Sequence, residues 1–144
     1  MASLTISSFP ATPLSLGLLC NFVSRFPPFD TFEFKQMTVT LRHQLDAQCN
    51  LVAGYEDEIV GYLGWIRTTR QIAELWIIDQ GPLTAASEDA SAAAVTVLVA
   101  SNPRFVLPLI RHAKAAHPGL HVYWKRQFVD GKQPVKRGVR KKPE

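Results

Sequence analysis

The run Asn50-Leu51-Val52-Ala53-Gly54-Tyr55-Glu56-Asp57-Glu58-Ile59-Val60-Gly61-Tyr62-Leu63-Gly64-Trp65-Ile66 sets the fold class. Two apolar stretches rich in β-branched and aromatic residues flank three acidic ones, the pattern of a hairpin with a polar connection. In the second stretch, Val60, Tyr62 and Gly64 fall on one side of an extended chain and Ile59, Gly61, Leu63 and Trp65 on the other. Downstream, Ala73-Glu74-Leu75-Trp76-Ile77-Ile78-Asp79 reads as a third β-rich run stopped by Gly81-Pro82. Residues 84–94 are rich in Ala and Ser, and Ser87-Glu88-Asp89 is placed to cap a short helix. Ala94-Val95-Thr96-Val97-Leu98-Val99-Ala100 is short, β-branched and bounded by turn residues, as a buried strand should be.

A helix follows. Asn102 is its N-cap and Pro103 its first residue; Phe105, Val106, Leu109, Ile110 and Ala113 share a face, and Pro118-Gly119 ends it. Pro108 is expected to bend it. Leu120, Val122 and Trp124 then alternate with His121, Tyr123 and Lys125 as another strand, and Asp130-Gly131 signals a hairpin. Upstream of the central hairpin, Thr38-Val39-Thr40-Leu41 opens either a strand or a short helix through Gln48. The order predicts an α/β (α+β) domain, a mostly antiparallel sheet with a strand–helix–strand unit and a basic C-terminal tail.

Its boundaries come from composition. With 144 residues and 16.0 kDa there is room for one domain, and 47% apolar against 19% charged residues excludes a disordered chain. No uncharged apolar run reaches the roughly 18 residues of a membrane helix. Residues 1–36 carry no charge before Arg25 and are rich in Ser, Pro, Leu and Phe. They lack the basic start and cleavage site of a secretory signal; Met1-Ala2-Ser3 suits a plastid transit peptide, and Met37, where regular alternation begins, suits a native start. The expected division is a poorly structured extension over 1–36, one domain over 37–131 and a basic tail over 132–144. Cys20 and Cys49 lack CxxC spacing; they make no metal site and point to a reducing, cytoplasmic compartment.

Charge is uneven. Lys125, Arg126, Lys132, Lys136, Arg137, Arg140, Lys141 and Lys142 face only Asp130 and Glu144, so residues 125–144 carry +6 while residues 1–124 carry −2. These eight residues are a candidate polyanion site, for nucleic acid among others, and the bland reading is a solvated tail.

The segment Glu56-Asp57-Glu58-Ile59-Val60-Gly61-Tyr62-Leu63-Gly64-Trp65 resembles the acid-rich turn and Val-x-Tyr-x-x-Trp of toxin-activating lysine acyltransferases. These are GNAT-like bacterial enzymes that move a fatty acyl group from acyl carrier protein to lysines of a pore-forming toxin. The resemblance covers about residues 48–126. It implies a GNAT-like fold, a bacterial or phage origin, acyl-CoA or acyl carrier protein as donor, and a protein lysine as partner. Two of the family's features are not matched. No histidine precedes His43, and Leu98 stands where the family's aspartate falls, whereas Trp76-Ile77-Ile78-Asp79 repeats its Trp-x-x-Asp string one strand earlier. The usual GNAT glycine loop is replaced by Ser101-Asn102-Pro103-Arg104-Phe105.

Acyl transfer to an amine needs a proton acceptor, because an ammonium cannot attack a thioester. Asp79, read as ending an apolar strand, and His121, beside Tyr123, are the candidate catalytic residues; His112 and His117 read as surface groups. Ser101, Asn102 and Arg104 at the helix start are the candidate donor-binding residues. Two functions follow, an acyltransferase-related protein that is active or degenerate, and a small polyanion-binding module.

Overall fold

The computed structural model describes residues 3–87 and 89–126, with only the backbone of Arg126 and of residues 135, 136, 140 and 141. The elements run β1 (Thr5–Ser7), α1 (Pro13–Val23), α2 (Phe34–Asp46), β2 (Asn50–Tyr55), β3 (Glu58–Thr68), α3 (Arg70–Ile77), β4 (Ala92–Ala100), α4 (Val106–Ala116), β5 (His121–Arg126), β6 (Val135–Lys136) and β7 (Arg140–Lys141). Strand order is β1-β2-β3-β4-β5-β6, with β7 also bonded to β5. The mixed α/β class expected from the sequence is therefore found. The chain divides into two compact units, Met1–Gly64 with Val97–Ala113, and Trp65–Thr96 with Lys114–Glu144.

The first unit corrects the reading of residues 1–36 as a poorly structured extension. Thr12 caps α1, its hydroxyl accepting from the Ser15 N–H at 3.1 Å, and Pro13 occupies the first helical position, where no N–H is needed. The prolines of this segment start and stop short helices, a role that composition alone disguises. Leu19, Phe22 and Val23 of α1 pack with Met37, Leu41 and Leu45 of α2 and with Val52, Tyr62, Val97 and Val99 of the strands. Met37, Leu41 and Leu45 recur every four residues, so 38–41 belongs to a helix and not a strand. Asn50 ties in the chain start, its side-chain carbonyl accepting from the Phe9 N–H at 2.8 Å.

The central hairpin forms as expected, closed by Glu56 and Asp57 at φ 52° and 63°, a two-residue turn of the kind that matches strand twist. Val52 faces Tyr62 and Asn50 faces Gly64. β3 is buried on both faces, which its two glycines permit. A Cβ on Gly61 would stand 2.9 Å from Leu109 Cδ1 of α4, and one on Gly64 would stand 2.0 Å from Gln44 Oε1 of α2. Tyr62, with no exposed surface, donates its phenol proton to that same Gln44 oxygen at 2.6 Å, and burial pushes its pKa far up.

The second unit corrects two further readings. Residues 73–79 are not a strand. Thr69 caps α3 by accepting from the Ile72 N–H at 3.1 Å, and Ala73 and Ile77, four apart, pack on Ala92 and Tyr123 while Leu75 faces solvent. Ser87 does not cap a helix but bonds Asp89 in a loop tied to β3. There Arg67 Nε donates to the Ala90 carbonyl at 2.6 Å and Thr68 Oγ1 to that of Thr84 at 2.8 Å. In the first unit, α4 begins at Val106 and places Pro108 in its first turn. β4 and β5 run parallel, Ala92 facing His121 through Val95 facing Trp124. The Asp130-Gly131 hairpin lies outside the described residues. Trp65 meets His117 edge to face, ring centroids 5.4 Å apart, and burial, then Arg67, lowers the His117 pKa.

Three outcomes follow. A chain begun at Met37 loses Leu19, Phe22 and Val23, each worth about 2 kcal/mol of burial. It is expected to show no cooperative melt by circular dichroism, a loss comparable to the whole stability of a small domain. Gly64→Ala should cost about 3 kcal/mol in denaturant titrations, because Gln44 must leave the buried phenol, and adding Gln44→Ala should recover part of that loss. For His117, the folded pKa lies below the ordinary 6.5, so the unfolded chain takes up the proton first. Stability is expected to fall as pH drops through about 6.5. His117→Gln should flatten that part of the stability–pH curve.

Candidate functional site

In the first unit, β4 turns into α4 through the residues expected to hold an acyl donor. Ser101 is tied to β3, its N–H donating to the Val60 carbonyl at 2.9 Å and its hydroxyl to the same oxygen at 3.4 Å. Asn102 Oδ1 accepts from the Arg104 N–H at 3.0 Å, the Asn102 carbonyl from the Phe105 N–H at 3.0 Å, and the Pro103 carbonyl from the Val106 N–H. Pro103 has no N–H to give. The helix start thus consumes its own donors, and a phosphate cradle of backbone N–H groups is absent from 103–106.

Arg104 remains. Its guanidinium carbon lies 4.7 Å from the Phe105 ring centroid and 5.5 Å from that of Tyr55, with the two rings 5.8 Å apart. Stacking of this kind fixes the plane of the guanidinium and leaves its N–H fork for an anion. Of the three donor-binding candidates, Ser101 and Asn102 serve the turn itself and Arg104 faces solvent. Tyr55 and Phe105 were missed by sequence reasoning, since their meeting depends on the β2–β3 turn and α4 together.

In the second unit, Asp79 does not end a strand. It follows α3 in the left-handed region, φ 60°, with its N–H on the Trp76 carbonyl at 3.0 Å. Its carboxylate is 58% exposed and accepts from Lys125 Nζ at 2.6 Å. Lys125 is only 14% exposed and sits 4.8 Å from the Trp76 ring centroid. Trp76 and Asp79, three residues apart, are brought to one lysine by the helix that the strand reading had excluded.

Beside them Tyr123, fully buried, donates to Glu74 Oε2 at 3.1 Å. Burial, opposed by hydrogen bonding to Arg70 and reinforced by Glu74, pushes its phenol above the ordinary value. His121 opens β5, with its N–H on the Ser91 carbonyl at 2.9 Å and its ring half-buried.

The eight polyanion candidates are described only in part. Lys125 is ion-paired. Lys136 and Arg140 with Lys141 lie on β6 and β7, whose backbones pair with β5, and Lys132, Arg137 and Lys142 lie outside the described residues. Among the described residues, no group of three His, Cys, Asp or Glu side chains is placed to hold a metal ion, and no helix is long and apolar enough to cross a membrane.

No family model matches the sequence, and no curated protein matches it either. Solved structures do. A GNAT-like decarboxylase, GphF, in complex with isobutyryl-CoA superposes with a TM-score of 0.64 at 19% identity, over 87% of this chain and 67% of its own. The loading GNATL domain of CurA from Lyngbya majuscula gives 0.61 at 11%, over 90% and 67%. An aminoglycoside 6'-N-acetyltransferase complexed with coenzyme A gives 0.57 at 16%, over 85% and 61%. The chain spans between 61% and 67% of the length of these structures. At such identities the likeness concerns architecture, and the toxin-activating acyltransferases are not among these three. The chain has a GNAT-like fold.

Proposed function

We propose that this chain handles acyl thioesters and moves an acyl group from a phosphopantetheine thioester to an amine. The observation that carries the reading is the start of α4, where a GNAT-like fold presents one stacked guanidinium, Arg104, and no free backbone cradle. One guanidinium matches the single phosphodiester of a phosphopantetheine arm on acyl carrier protein better than the pyrophosphate of coenzyme A. In the reaction, the amine nitrogen attacks the thioester carbonyl carbon, a C–N bond forms and the C–S bond breaks. The ammonium proton must go to a base beforehand, and the departing thiolate must gain a proton. His121 is the proposed base, since one oxygen of Asp79 is already held by the Lys125 ammonium.

The test is transfer to a lysine peptide, from acyl carrier protein and from acyl-CoA in parallel. Turnover is expected with a preference for the carrier protein. Arg104→Ala should lower kcat/KM for that donor about tenfold, and His121→Asn should lower kcat by roughly 10²-fold. Asp79→Asn should change stability more than rate. No transfer from either donor, or a preference for acyl-CoA, would refute the proposal.

A further inference from the structure

A groove of about 740 Å³ runs through the first unit on the side of the β1–β2 ladder. Its floor is small and polar. Thr5 pairs with Gly54 and Ser7 with Val52, and residues two apart on a strand share a face, so both pairs line the same side. Gly54 keeps the floor low, for a Cβ there would stand 3.0 Å from Thr5 Oγ1. One wall is α1, an uncharged helix that turns Leu18 and Asn21 to the groove and leaves Leu14 73% exposed beyond it. The turn Glu56-Asp57-Glu58 closes one end with three exposed carboxylates, against a single basic lining residue, Arg25.

We propose that this groove docks an extended peptide that carries lysine or arginine side chains between apolar residues. Charge complementarity selects the sign, since three carboxylates and one guanidinium favour cations and repel phosphates. The alternation of the floor selects the shape. Hydroxyls on β1 stand at a strand's two-residue spacing, and β1 ends the strand order, bonded to β2 on one side, so a peptide backbone has an edge to follow. Leu18, 41% exposed, gives the apolar side chains of such a peptide a wall to rest on. A volume of this size lies in the range of specific ligand sites. The proposal stands apart from acyl transfer, and its test uses no acyl donor.

The measurement is fluorescence anisotropy of a short labelled peptide of alternating lysine and valine, titrated with the full chain. Saturable binding is expected, weakening with salt. Combining Glu56→Gln, Asp57→Asn and Glu58→Gln should weaken it about tenfold, as three surface pairs would. Leu18→Lys, at an exposed position, should weaken it as well, with circular dichroism confirming that both variants fold. Absence of binding, equal binding of a glutamate–valine peptide, or binding untouched by both variants overturns the proposal. Tighter binding of spermine than of the peptide at the same carboxylates also overturns it, assigning the groove to a small amine.

Discussion

Tyr62, Gln44 and Gly64 occupy one small volume, and the first unit depends on how they share it. The phenol is fully buried and must find an acceptor, because an unpaired hydroxyl in the interior costs as much as several good contacts gain. It finds Gln44 Oε1 at 2.6 Å, and Gln44 reaches that place only because residue 64 lacks a Cβ. The bond joins α2 to β3. The backbone carbonyl of Gln44 accepts in turn from the Cys49 N–H at 2.8 Å and from Asn50 Nδ2, so the turn from α2 into β2 is set by the same residue. Apolar packing supplies the stability around it, but this polar node fixes which face of β3 meets the helices. A strand buried on both sides has no hydrophilic face to orient it otherwise.

The second unit uses charge for a similar purpose. α3 packs on β5 through Ala73, Ile77 and Tyr123, and around that contact two ionic hydrogen bonds are laid, Tyr123 to Glu74 and Lys125 to Asp79. Lys125 also lies over Trp76, so its stem and head are both engaged. The partly exposed setting limits what the ion pair adds to stability, and its clearer effect is positional. It ties the turn after α3 to β5.

Function is written in what the turn into α4 spends and what it leaves. Helix starts bind anions when their N–H groups are free. Here Asn102, Pro103 and the single tight turn they begin satisfy those groups internally, and the cation on the adjacent side chain carries what anion affinity remains. The proposed function gives the donor's phosphate to that one arginine.

The hairpin, the strand 94–100, the Asn102 cap and the last strand were legible in the sequence, because each rests on local chemistry. Alternation follows from the two-residue repeat of a strand, the acidic turn from residues that tolerate positive φ, and the cap from a side chain two positions from its N–H. Residues 1–36 were not legible, since the same prolines that break a long helix begin a short one at Pro13, and their burial depends on α2 and β3, which arrive later in the chain. Residues 73–79 were misread because Leu75, Trp76, Ile77 and Ile78 are all apolar, and an unbroken apolar run has no period to separate strand from helix. Only packing against Ala92 and Tyr123 decides it, and with it whether Asp79 stands buried as a base or exposed beside Lys125. Sequence alone determined where the chain turns and which stretches are extended; tertiary structure decided which polar groups are already spent, because a hydrogen-bond partner forty residues away leaves no mark on local spacing.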